Sequence, residues 1–327
     1  MRQLHGNPPR SAAARHSPTA RRWVGAALAC LGIAVLAAGC FPQTRAAPEP
    51  RMANIDDAFE DSAVTADGTD AGNWYDRAEP CPAGAAMKGA VPPAGYAVWC
   101  EREGGLRDGP SSTWHETGTK KEEVVYRQGK KEGRYTLWHP NGHIAEKGTY
   151  RTGLLHGAFS SFHPTGGRRL AGEYIDGKRS GTFTEWTPEG KQLRSVEFQL
   201  DKAHGRAVAW KDDGGREEYA YRYGVRRGDF TAYYSNGGKA LSGRYNDDLK
   251  VGVWTTWRDD GSKLEEVVYA GGKREGRITR WHANGAIELE GEYANDQKSG
   301  TWIYREPEER RIIRQESYRN GYLTSRK

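Results

Sequence analysis

Aliphatic residues are the first shortage in this chain of 327 residues. Hydrophobic residues make up 36%, and the mean hydropathy is −0.87. A compact α/β enzyme of this length would draw on more Val, Ile and Leu, so that class is excluded. Cysteine is scarce as well, at four, few enough for each to be given its own reading below. Acid is absent from residues 1–40, which hold Arg2, Arg10, Arg15, Arg21 and Arg22. The formal charge of +6 is therefore largely a property of this leader, and the remainder is close to neutral. Nucleic-acid binding wants a basic face or stripe on the folded domain, and none is indicated. Aromatics, by contrast, reach 11%, with 11 Trp, 17 Tyr and 42 Gly. Disordered chains lack aromatics. A glycine-rich, aromatic-rich β protein remains, and such compositions often come from repeats.

Residues 23–39 read WVGAALACLGIAVLAAG, without a charge, directly after Arg21-Arg22. A basic stretch, an apolar run and small residues at its end form a secretory signal. The run is short for a stable span, which needs about 20 residues. Cys40 follows Leu36-Ala37-Ala38-Gly39. This resembles the bacterial lipobox, which implies acylation of Cys40 as the mature N-terminus. The lipobox usually has Leu three places before its cysteine, and here Leu36 stands four before. Cys30 fits worse, with Leu28 where a small residue belongs. The competing readings are an ordinary cleaved signal or an uncleaved anchor; Arg21-Arg22 matches twin-arginine export poorly. Acyl chains on Cys40 would hold the protein to a membrane, because each buried CH₂ contributes about 0.8 kcal/mol. Phe41 follows rather than Asp, which in a Gram-negative envelope favours the outer membrane.

Cys81 and Cys100 remain, an even pair for an oxidising compartment. They frame CPAGAAMKGAVPPAGYAVWC, whose Pro and Gly favour turns that bring the ends together. A bridge closing such a loop is worth about 3 kcal/mol in the chain-entropy model. Free thiols are the alternative; a metal pair wants closer spacing and more ligands.

Between Phe41 and Pro80, nine acids face three bases with no sustained apolar period. This reads as a flexible acidic tether. From Gly109 the chain repeats. Units start at Gly109, Gly133, Gly157, Gly181, Gly205, Gly228, Gly252, Gly276 and Gly300, spaced 24 residues apart except for one interval of 23. Five residues after each start stand Trp114, Trp138, Phe162, Trp186, Trp210, Tyr233, Trp257 and Trp281. A glycine follows at the ninth place and Tyr or Phe at the seventeenth, with Tyr221 one place early in the short unit. The last unit loses this register in sequence, as an end cap does.

Each unit has the grammar of a β-hairpin. Gly133–Trp138 is rich in aromatic and β-branched residues. His139-Pro140-Asn141-Gly142 is a turn, with Pro fixing φ and Gly accepting φ > 0. His143–Tyr150 returns, and Arg151-Thr152-Gly153 turns into the next unit. Two strands and two turns fill 24 residues, leaving no helical crossover. The prediction is an all-β, elongated antiparallel meander of about 17 strands in a coiled single layer. Its segments are a signal peptide (1–39), a linker (40–80), a disulfide-closed cap (81–108) and nine repeats (109–327). The returning strand carries Gly-x-Tyr, as in Gly148-Thr149-Tyr150, so a neighbouring ring is expected to lie over the bare glycine.

The pattern G-x-[FWY]-x-x-W-x-x-x-G followed by G-x-Y-x-x-G-K-x-x-G resembles MORN-type repeats. It is most similar to the bacterial variant of the YwqK antitoxin family. Gly157–Ser180 and Gly276–Ser299 are the clearest copies, and the resemblance covers roughly 109–323. It implies an elongated sheet of hairpins, a role as tether or protein-binding scaffold, and no catalytic residues.

Other motifs dissolve into the repeat. Gly172 to Lys178 has phosphate-loop spacing, but Arg179 replaces the Ser/Thr and no helix follows. His115, His139, His163 and His282 all stand six residues after a unit start, spread along an edge rather than converging on a metal. Acids are scattered, with no cleft for acid–base work. No enzyme, cofactor or metal is predicted. Trp114, Trp138, Trp186, Trp210, Trp257 and Trp281 either pack on their neighbours or form an exposed ladder for peptide, glycan or lipid. Three functions follow: an envelope lipoprotein scaffold for an unidentified protein partner, a peptidoglycan- or glycan-binding module, and an antitoxin or immunity protein as the resemblance implies.

Overall fold

The structure, a computed structural model, describes residues 72–308 and 311–327. The signal peptide, Cys40 and most of the linker lie outside them. Twenty-two strands, from Ala85–Ala90 to Tyr322–Arg326, form one open antiparallel sheet. Consecutive strands pair in sequence order; Leu154–Leu155 and Gly157–Phe162 share one partner, Ile144–Arg151. The count exceeds the expected seventeen for three reasons. Ala85–Ala90 and Ala97–Arg102 join the same ladder ahead of the repeats. His156 interrupts one strand. The last unit also completes its hairpin and adds Tyr322–Arg326.

Turn chemistry sets the register. Gly142 N–H donates to the His139 carbonyl at 2.9 Å, and His139 N–H to the His143 carbonyl at 2.8 Å. Gly142 has φ +87°, which closes a type I turn with a left-handed residue. The opposite turn needs two consecutive positive φ values, as at Asp176 (49°) and Gly177 (79°), the mirror-image turn that matches strand twist. Each unit's starting glycine pairs with its later aromatic: Gly133 with Tyr150, Gly181 with Phe198, Gly276 with Tyr293. On its other side the ladder slips, as between Ser180 and Thr184 around Gly181 (φ 71°). A bulge recurring once per unit bends and twists the strand it interrupts. In the last unit Gly300 still pairs with Tyr318. One extra residue in the turn between Gln297–Arg305 and Ile312–Arg319 displaces the tyrosine by one place without disturbing the pairing.

At the N-terminal end Cys81 and Cys100 form a disulfide, with Cα atoms 5.5 Å apart. Trp74, inside the stretch predicted as linker, is buried with Val98, Cys100 and Trp114. Its indole Nε1–H donates to Ser112 Oγ at 2.8 Å. A buried Trp that satisfies its one donor anchors chain strongly, so packed structure begins before residue 81.

Candidate functional site

Position within the unit decides the role of every aromatic ring. The predicted column, five residues after the start, is not an exposed ladder. Trp114 is buried, and Trp138, Trp186, Trp210, Trp257 and Trp281 are half-buried. A cation from the preceding unit lies over most of these rings: Lys120 over Trp138 at 5.5 Å, Arg168 over Trp186 at 5.3 Å, Lys239 over Trp257 at 5.8 Å and Lys263 over Trp281 at 5.5 Å. Such contacts use the ring face that a planar ligand would take.

A second file, two residues after the start, holds the deepest rings: Tyr135, Phe159, Phe183, Phe230, Trp254 and Trp302 are all buried. These rings cover the bare glycines. A Cβ at Gly172 would lie 2.6 Å from the Phe183 ring, and one at Gly291 would lie 2.4 Å from Trp302. Edge-to-face contacts link this file to the later tyrosines, as in Phe159–Tyr174–Phe183–Phe198 with centroids 5.2, 5.3 and 5.6 Å apart. The sequence led to the expectation of a ring over the glycine, and the [FWY] place of the pattern supplies it in most units. Ser111, Ala207 and Ile278 interrupt the column. The glycine opposite was the available signal.

The short unit inverts this arrangement. Ala207 occupies the buried place, and Tyr219, directly opposite, supplies the ring. Tyr219 contacts Tyr221 and Phe230 with centroids 5.5 and 6.4 Å away. Relative to Phe159 opposite Gly172, small and large have exchanged strands.

The histidines are straps. Nε2 of His115, His139, His163 and His282 lies 2.9, 3.0, 2.9 and 2.9 Å from the carbonyl of Trp138, Phe162, Trp186 and Arg305. A carbonyl only accepts, so each Nε2 carries the proton. Tyr234 and Arg258 fill the same role toward the carbonyls of Trp257 and Trp281. No group of His, Cys, Asp or Glu among the described residues forms a metal site.

Cations also cap the later rings: Arg179 lies 4.0 Å from the Phe198 centroid, Arg226 4.3 Å from Tyr245 and Arg274 4.0 Å from Tyr293. Asp201, Asp248 and Asp296 pair with these arginines at 3.2, 2.8 and 3.1 Å. Each acid's pKa is lowered. For Asp201 and Asp296 the arginine's own backbone N–H is the main cause, and for Asp248 the Arg226 side chain is. Burial pushes the Tyr135 hydroxyl pKa upward, and its 2.5 Å hydrogen bond to Glu146 adds to this. Such shifts accompany packing between hairpins here.

The family model described as MORN repeat variant matches residues 131–151. That stretch is the hairpin Lys130–Trp138 with Ile144–Arg151, so this hairpin matches a MORN-type repeat. No curated protein matches the chain. Among solved structures the chain is similar to the glycosylation associate protein (Gap123) complex from Streptococcus agalactiae. Identity is 16% and the TM-score 0.21, over 33% of this chain and 20% of that one. It is also similar to the Tc holotoxin pore of Photorhabdus luminescens, at 10% identity and TM-score 0.18, over 71% of this chain and 13% of that one. The chain thus spans a fifth or less of either.

Proposed function

We propose that the protein is a non-enzymatic repeat scaffold for protein–protein interaction, carried in a bacterial envelope on a lipid at Cys40. One observation carries the scaffold reading. The side chains that recur from unit to unit, the rings, histidines and capping arginines, are engaged between hairpins. Side chains that vary from unit to unit are left to define a surface. Energy from such a surface comes from many modest contacts rather than one pocket. Half-buried tryptophans beneath cations favour this over a glycan ladder. The lipid anchor rests on the sequence around Cys40. Tagged full-length protein recovered from crosslinked envelopes should bring down one reproducible protein partner. Recovery of peptidoglycan alone would reject the scaffold, and a toxic neighbouring gene product as partner would favour an antitoxin role. Cys40→Ala should release the protein from membranes; unchanged fractionation would reject the anchor.

A further inference from the structure

The short unit opens a basic cleft that the repeat does not require. A cleft of about 630 Å³ is lined by His204, Arg222, Arg227 and Arg244 among others. The three arginines come from consecutive strands, Arg216–Arg222, Val225–Tyr233 and Lys239–Asn246. Neighbouring strands lie about 4.8 Å apart, so the three arginines arise within about 10 Å across the sheet. Arg244 stands sixteen residues after its unit's start, where other units have Glu173, Glu197 and Glu292. Arg227 precedes its starting glycine, where other units have Glu132, Ser180 and Glu275. Arginine at these two places is specific to this unit, whereas Arg222 stands where Arg127 and Arg151 do in other units.

The arginines are weakly engaged. Arg244 reaches Asp229 at 3.4 Å, but that carboxylate is 89% exposed. Arg227 lies 3.7 Å from Asp247, which is 61% exposed. Arg222 has no carboxylate partner among the described residues. His204 Nδ1 accepts the Tyr223 backbone N–H at 3.4 Å, which leaves the ring proton on Nε2. Exposed ion pairs of this kind contribute little and exchange readily for a better partner. Guanidiniums match carboxylates in a planar, two-pronged geometry.

We infer that this cleft binds a carboxylate-rich segment of a protein partner. The inference rests on the scaffold reading and names its site. Asp229 and Asp247, exposed beside Arg244 and Arg227, would oppose a flat anionic bilayer more than a narrow peptide.

The test is fluorescence anisotropy of labelled hexaglutamate with the full chain at low salt. Hexaglutamate should bind and hexalysine should not. Arg222→Gln with Arg244→Gln should weaken binding at least about tenfold, since each removes charge-assisted hydrogen-bond donors. Arg277→Gln, an exposed arginine outside the cleft, should change it little. Equal weakening by Arg277→Gln would overturn the inference, as would no binding at all. Displacement by glycerol-1-phosphate at lower concentration than by unlabelled hexaglutamate would overturn it in favour of a phospholipid headgroup. Undiminished recovery of the envelope partner by the double variant would overturn it while leaving the scaffold reading intact.

Discussion

At the scale of single residues, glycines of two kinds serve the repeat. Gly142 has φ +87° and open space around its missing Cβ, so its role is conformational. Gly243 has no such φ, but a Cβ there would meet the Trp254 ring at 2.2 Å. Gly243→Ala should therefore lower stability by about 1–3 kcal/mol through overpacking, read as a fall in the urea midpoint. An unchanged midpoint would mean that Trp254 moves freely. The Ala207–Tyr219 exchange gives a sharper expectation. Ala207→Phe alone should destabilise, because Tyr219 already fills the space. Adding Tyr219→Gly should restore much of the loss, with a coupling of about 1 kcal/mol or more; strictly additive effects would refute volume exchange. The tryptophan column was legible in sequence because one residue type dominates it. The buried file was harder to read, because Ser111, Ala207 and Ile278 interrupt its aromatics and no one residue type dominates it.

The hairpin is the next scale, and straps between successive turns hold it. His163 Nε2–H donates to the Trp186 carbonyl at 2.9 Å. His163→Ala should cost about 0.5–1.5 kcal/mol, the net value of such a bond. His163→Arg should cost less, since Arg258 makes the equivalent bond; comparison of the two thermal midpoints checks this. Turns were the most legible elements, because Pro140, Asn141 and Gly142 each answer one dihedral requirement. The final hairpin was hidden by one extra residue in its turn, which shifts Tyr318 in sequence and leaves its pairing with Gly300 intact. Its edge strand is pinned by Glu316, which is buried and accepts hydrogen bonds from Tyr318 at 2.9 Å, Tyr304 at 3.0 Å and an ion pair from Arg326 at 2.7 Å. Burial alone would raise this carboxyl's pKa, but these partners together hold it below the ordinary 4.5. A lowered carboxylate pKa stabilises the fold above the unfolded value, and that stability is lost as pH falls through the folded one. Protection of Tyr322–Arg326 from hydrogen exchange should therefore drop below about pH 4.5. Glu316→Gln should weaken it at neutral pH and flatten this dependence. A pH profile identical in both forms would show that other acids control the edge.

At the scale of the whole sheet, strands pair with near neighbours in sequence, and side-chain contacts reach little further, as from Phe230 to Trp254 at 5.5 Å. Stability is then close to a sum of unit and interface terms, and a local change decays along the array instead of melting it. The disulfide offers the cleanest probe. It joins Cys81 to Cys100 on the strand Ala97–Arg102, beside the buried cluster of Trp74, Val98 and Trp114. Replacing both cysteines with Ala should remove about 3 kcal/mol from that end, on the loop-entropy estimate. Hydrogen exchange should then accelerate in Ala85–Ala90, Ala97–Arg102 and their first neighbours. Protection around Val267, Ile278, Leu289 and Trp302, a separate buried cluster, should stay as it was. Uniform acceleration along all units would mean that the sheet folds as one cooperative block. Localised acceleration would instead fit a scaffold whose binding units act independently, because a partner at one cleft would then leave distant hairpins free for others.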